Sequence, residues 1–236
     1  SSSPSSTPPT PTTKGGNEDE EGKRKTRSLA VIPIPLIRQV LELRSRAVLA
    51  LGGLLTEMPL SMVETEGEQA WGALLEMGEE GMEEERIRHG PWYCRGEESW
   101  LGLLTGVMGA FFVRRRGWEG REGGQAGGKE IQLLAQMVRT SPYFEVRVNA
   151  AGILGCCACP SSSPPSLVSS VGAVLKEALL TETHVLGEAA VLNAIMDLFS
   201  DDDKERSRVF KEELGFMPLL KEVLPAFRLK LSLIHI

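Results

Sequence analysis

Residues 145–155 read Glu-Val-Arg-Val-Asn-Ala-Ala-Gly-Ile-Leu-Gly, and this stretch decides the fold. Its residues Val146, Ala150 and Leu154 recur every four positions, which places them along one face of a helix. Gly155 is small enough to let a neighbouring helix approach closely. A short helix, a Ser-Pro turn and then this pattern are typical of a HEAT/armadillo-type repeat. The pattern itself is that of the second helix of the repeat. The stretch therefore predicts a solenoid of stacked helix pairs.

The motif occurs a second time at residues 43–52, which read Leu-Arg-Ser-Arg-Ala-Val-Leu-Ala-Leu-Gly. Five positions correspond, including Arg44 for Arg147 and Gly52 for Gly155. Order is expected to begin near residue 34, and further helices are expected at 68–77, 98–113, 129–140, 143–157, 167–180, 184–199 and 216–229, the last kinked or broken at Pro225. The sequence thus predicts an all-α fold with about three to four HEAT/armadillo repeats.

The amino-acid composition bears on two classes of function, binding to nucleic acid and binding to membranes. The net charge of −6 gives no general attraction to nucleic acid or to an anionic membrane. The longest apolar uncharged run, residues 100–113, has 14 residues, fewer than the roughly 20 that cross a bilayer. Three arginines follow this run, so a role at a membrane surface is an alternative. A buried helix of a repeat explains the same run, and it is the preferred interpretation.

Three segments are expected along the chain. We expect residues 1–30 to form a disordered, low-complexity acidic and basic segment and residues 31–231 to form the HEAT/armadillo-repeat domain. We expect residues 232–236 to be a tail that is truncated or non-native. The basic run at 23–27 is either a nuclear-import signal or a solvated linker. We expect the chain to be part of a longer protein.

The sequence contains only weak matches to redox, metal-binding and nucleotide-binding motifs. Cys156 and Cys159 have redox or metal spacing, but no second cysteine pair accompanies them, so small buried residues are the preferred interpretation. Residues 123–129 resemble a phosphate-binding loop, yet Glu130 stands where that loop needs Ser or Thr. His184 is expected to cap a helix or to lie at the surface. The sequence therefore predicts no catalytic residue, metal or cofactor and hence no enzyme, with a nucleotide hydrolase as the alternative.

Three segments resemble one family. Residues 192–201, Leu-Asn-Ala-Ile-Met-Asp-Leu-Phe-Ser-Asp, and residues 220–230, Leu-Lys-Glu-Val-Leu-Pro-Ala-Phe-Arg-Leu-Lys, resemble the C-terminal part of the symportins. Residues 146–155 look like the repeat that precedes them in that family. The resemblance covers about residues 130–230, with weaker support from residue 40 onward. It implies a ribosome-assembly chaperone that holds the two large-subunit ribosomal proteins accompanying 5S rRNA and carries them to the nucleus with an importin.

The resemblance also implies partners and a location. The clients would be the 5S-associated ribosomal proteins, and an importin would bind through a region missing from this chain. The protein would not contact a membrane directly, and it would contact nucleic acid only through the client. The protein would act in cytoplasm and nucleus. Candidate contact residues are polar and lie on the second helices of the repeats: Arg44, Asn149, Glu188, Asn193 and Asp197. Asn193 replaces an acidic residue usual in the family, which would weaken one contact to a basic client. The alternative is another HEAT/armadillo scaffold, in trafficking or signalling, without a ribosomal client.

Overall fold

A computed structural model describes residues 34–88, 100–119, 128–158, 163–199, 208 and 212–234. The expected disordered segment 1–30, most of the loop at 123–129, Cys159 and the last two residues of the expected tail lie outside the described residues.

The described residues form helices with short connections. In chain order these are α1 Ile34–Glu57, α2 Leu60–Arg88, α3 Trp100–Glu119, α4 Gly128–Thr140, α5 Phe144–Ala158, α6 Pro165–Thr181, α7 Val185–Phe199 and α8 Phe216–Ile234. Within these ranges there is no strand. The all-α prediction is therefore confirmed.

The helices pack in two rows. Helices α1, α3, α5 and α7 lie side by side in the first row, and α2, α4 and α6 form the second row behind them. Between the rows, α2 packs on α3, α4 packs on α5, and α6 packs on both α5 and α7; α8 packs on α7. Two rows that grow by one helix pair at a time define a helical-repeat solenoid, as the sequence predicted.

The motif at 145–155 lies at the centre of this packing. Val146, Ala150 and Leu154 of α5 are each 0% exposed, so the face predicted from their spacing is the buried face. A Cβ atom added to Gly155 would lie only 2.8 Å from the Cα atom of Ala194 on α7. Glycine is required here because the backbones of α5 and α7 are almost in contact.

Two helices differ from the sequence prediction in length. The second helix α2 continues through the charged residues 79–88, because Glu79, Glu80 and Glu83 occupy a solvent face while Gly78, Gly81 and Met82 continue the buried face. Helix α8 continues past Pro225 instead of breaking there. Pro225 is exposed, so a carbonyl that loses its hydrogen-bond partner next to the proline can bind water.

The apolar run at 100–113 belongs to the core. Leu101, Leu104 and Met108 of α3 are fully buried against neighbouring helices. None of the helices described for this chain combines the length and the apolarity needed to cross a membrane.

Candidate protein-binding groove

A groove runs along the open face of the first row. It is lined by residues of α3, α5 and α7 and has a volume of about 400 Å³. Its floor is made largely of residues with small side chains: Gly106, Gly109, Ala110, Gly152, Ala190 and Ala194. Small residues let the three helices approach one another and leave space above them. The face formed by the second helices of the repeats is therefore indented.

Three of the five predicted contact residues line this groove. Asn149 lies on α5, and Asn193 and Asp197 lie one turn apart on α7. The Nδ2 group of Asn149 donates to the carbonyl oxygen of Gly102 at 3.2 Å and to Oγ1 of Thr105 at 3.3 Å, which fixes this amide against α3. Asn193 and Asp197 are exposed. The groove thus combines an apolar floor with amide groups and one carboxylate.

Sequence reasoning missed the apolar members of the groove. Val113, Val148 and Ile153 line it beside the small residues, and Cys156 lies at the α5 side. The glycine pair Gly106 and Gly109 in α3 could have predicted this surface, because both residues face α5. A Cβ atom added at Gly106 would lie 3.6 Å from Asn149, and one added at Gly109 would lie 3.7 Å from Ile153.

The other two predicted contact residues lie away from the groove, in ion pairs that join helices. Arg44 of α1 pairs with Glu84 of α2, and its guanidinium lies 5.4 Å from the ring centre of Trp100. Glu188 of α7 is paired with Lys230 of α8, and only 7% of its side chain is exposed. Both side chains hold one helix against another.

A third ion pair also links two parts of the helical stack. Arg147, at the motif position equivalent to Arg44, donates from Nε and Nη2 to the two carboxylate oxygens of Glu182 at 2.7 and 2.9 Å. The backbone N–H groups of Thr183 and His184 also donate to Glu182, each at 2.9 Å. Glu182 follows α6 directly, so this cluster fixes the turn that leads into α7.

Glu182 also gives the protein a pH dependence. Burial raises the pKa of this carboxyl, but the hydrogen bonds and charge of Arg147 and the two backbone N–H groups outweigh burial, so the net pKa lies below the ordinary value of a glutamate. The stabilisation is therefore complete above the unfolded-state pKa and is lost as the pH falls through the lower folded-state pKa. In acid-unfolding titrations we expect the stability of Glu182→Gln to fall less steeply with decreasing pH than that of the wild type. Parallel curves would contradict this assignment.

Cys157 and His184 have structural roles. Cys157 is buried, and His184 caps α7, its Nδ1 atom accepting a hydrogen bond from the backbone N–H of Leu186 at 3.3 Å. The ring of His184 is also stacked on Phe144, with ring centres 4.2 Å apart. Across the part of the chain that the structure describes, no three His, Cys, Asp or Glu side chains are grouped so that they could hold a metal ion.

The two rows of helices, with a groove along the first row, define a helical-repeat protein. A family model described as "SYO1-like, TPR repeats" matches residues 33–233, which is most of the chain. The chain belongs to this family, which confirms the resemblance to the symportins. The description names TPR repeats, where the sequence predicted the HEAT/armadillo type; both are stacks of helix pairs. Neither the curated proteins nor the solved structures contain a match to the chain.

Proposed function

We propose that this protein is a non-enzymatic, symportin-like adaptor that escorts 5S rRNA-associated large-subunit ribosomal proteins between cytoplasm and nucleus. The observation that carries the proposal is the family match over residues 33–233, because that family is the symportin family. The groove on α3, α5 and α7 supplies a binding surface that such an adaptor needs. The importin partner belongs to the same proposal, and nothing in the groove is assigned to it.

The groove suits one segment of a basic client. Its apolar lining, with Val113 and Val148, can cover aliphatic side chains, and burial of that surface would supply most of the binding free energy. The Asn193 amide can hydrogen-bond the client's backbone, and the Asp197 carboxylate can pair with a lysine or arginine. The net charge of −6 favours encounter with a Lys/Arg-rich protein and opposes encounter with free RNA.

The test is a binding measurement with purified 5S-associated ribosomal proteins and the full chain. We expect wild-type binding that weakens with added salt, and at least a tenfold loss of affinity in Asp197→Lys, since that change sets a cation against a basic client. The matched control is Glu66→Lys. Glu66 is exposed on α2, outside the groove, and its replacement changes the net charge equally. We expect the control to retain affinity within about threefold, the effect of a distant screened charge.

Two results would overturn the proposal. If the wild-type chain binds none of these ribosomal proteins, the protein is a scaffold for other partners. If Glu66→Lys loses as much affinity as Asp197→Lys, the client responds to overall charge and not to the groove. Circular dichroism of both variants should match the wild type, because both replaced side chains are exposed.

A further inference from the structure

The amide of Asn149 presents its carbonyl oxygen to the groove. Its Nδ2 group is held on the α3 side, where it donates to the carbonyl oxygen of Gly102 and to Oγ1 of Thr105. Both of these partners belong to buried residues. The Oδ1 atom lies on the opposite side of the planar amide, and no donor in the described part of the chain is bonded to it. This end of the groove therefore offers a fixed hydrogen-bond acceptor.

Each end of the groove has an amide with a carboxylate one helical turn away. Glu145 and Asn149, called the α5 pair below, are four positions apart on α5. Asn193 and Asp197, called the α7 pair, are four positions apart on α7. Glu145, Asn193 and Asp197 are exposed, and none of the described residues that line the groove is Lys, Arg or His. Both ends of the groove therefore favour a cation.

The packing of α5 against α7 sets the distance between the two pairs. Phe144 stacks on His184 at the start of both helices, and Gly155 meets Ala194 further along. The two helices therefore run parallel, and corresponding positions differ by 39 or 40 in residue number. In this alignment the α7 pair lies eight to nine positions beyond the α5 pair. At about 1.5 Å per residue the pairs are about 13 Å apart along the helices.

The width of the groove decides the form of the segment that fits. A volume of about 400 Å³ over a length of about 13 Å corresponds to a cross-section of about 30 Å². An α-helix with its side chains is about 10 Å in diameter and is too wide for this space. A chain in extended conformation is narrower, and its side chains alternate between the groove and the solvent.

We propose that the groove selects an extended client segment with two basic side chains four residues apart, one bound by each pair. An extended chain advances about 3.3 Å per residue, so four residues cover the distance of about 13 Å between the pairs. Residues four apart also lie on the same side of such a chain, so both cations face the groove. The proposal rests on the proposed function, because it specifies the client segment that the same groove binds.

Fluorescence polarisation with the full wild-type chain and two labelled peptides tests the spacing. Both peptides have the same composition and charge between Gly-Ser flanks. One contains Arg-Val-Ala-Val-Arg, with its arginines on one side of the chain, and the other contains Val-Ala-Arg-Arg-Val, with its arginines on opposite sides. We expect the first peptide to bind about tenfold more tightly, because both of its arginines reach acceptors in the groove.

Variants of the α5 pair test the residues. Glu145→Gln and Asn149→Ala should each reduce the preference for the first peptide to about threefold or less, because one arginine loses an acceptor. The matched control is Glu66→Gln, which removes the same charge from an exposed position on α2 and should keep the full preference. Circular dichroism should show that all three variants fold. Glu145→Gln changes only an exposed side chain, so the test stands even if Asn149→Ala does not fold.

Four results would overturn the proposal. They are equal binding of the two peptides to the wild type, no binding of either at about 1 mM, full preference in Glu145→Gln, and an equal loss of preference in Glu66→Gln. Peptide binding that appears only after the chain's own basic run at 23–27 is replaced by serines would also overturn it, because that run would then be the occupant. If the preference holds but the ribosomal proteins do not bind, the proposed client is wrong and the groove's selectivity stands.

Discussion

Replacing Arg147 by alanine is expected to lower the free energy of unfolding by about 3–5 kcal/mol, because the change leaves a buried carboxylate without its counter-charge. Only 4% of the Glu182 side chain is exposed, and Arg147 is the one cation that the structure shows bonded to both of its carboxylate oxygens within the described residues. Arg147 also donates to the carbonyl oxygen of Ser141 at 2.9 Å, so the turn before α5 loses a hydrogen bond as well. Urea titration followed by circular dichroism measures the loss.

The control is an arginine whose ion pair is exposed. Arg46 pairs with Glu42 along α1, and their side chains are 74% and 63% exposed, so Arg46→Ala should cost at most about 0.5 kcal/mol. The double variant Arg147→Ala/Glu182→Ala should be more stable than Arg147→Ala alone, because it removes the stranded carboxylate. A loss below about 1 kcal/mol in Arg147→Ala would contradict the structural role of the pair.

Replacing Gly155 by alanine should destabilise the protein by about 1–3 kcal/mol, although alanine is the better helix former. The new methyl group would meet the backbone of α7, 2.8 Å from the Cα atom and 2.9 Å from the carbonyl oxygen of Ala194. A backbone cannot rotate away as a side chain can, so α5 and α7 would have to move apart. Thermal and urea unfolding of the purified variant would show the loss.

The control is Gly152→Ala in the same helix, for which we expect the opposite result. No heavy atom lies within 4 Å of a Cβ added at Gly152, so this change should be neutral or should stabilise the protein by up to about 1 kcal/mol. If the two variants change stability by the same amount, helix propensity and not helix contact explains the effect at Gly155.

Local patterns were sufficient to predict the fold. The four-residue spacing of Val146, Ala150 and Leu154 identified a buried face, because side chains that recur at this spacing must lie on one side of a helix. The small size of Gly155 indicated a close helix approach, and the structure shows one. Its partner, Ala194, is 39 positions further along the chain, and no local pattern identifies it.

The candidate site was less predictable for the same reason. Asn149, Asn193 and Asp197 were chosen as polar residues on second helices, and they do line one groove. Arg44 and Glu188 were chosen by the same criterion, but the structure places them in ion pairs between helices. A charged residue looks the same in a sequence whether its partner is a client or a side chain about forty residues away.

The reversal of charge in the ion pair between α7 and α8 has a consequence for assembly of the fold during synthesis. Helices of a repeat protein resemble one another, so a late helix can dock on the wrong neighbour. Arg44 and Arg147 are each paired with a glutamate, whereas Glu188, the fourth residue of α7 as Arg147 is the fourth residue of α5, is paired with Lys230 of α8. If α8 docked beside α5 instead, its lysine would meet an arginine, and like charges at close range are unfavourable. We therefore expect Glu188, where α5 has an arginine, to direct α8 to its position beside α7.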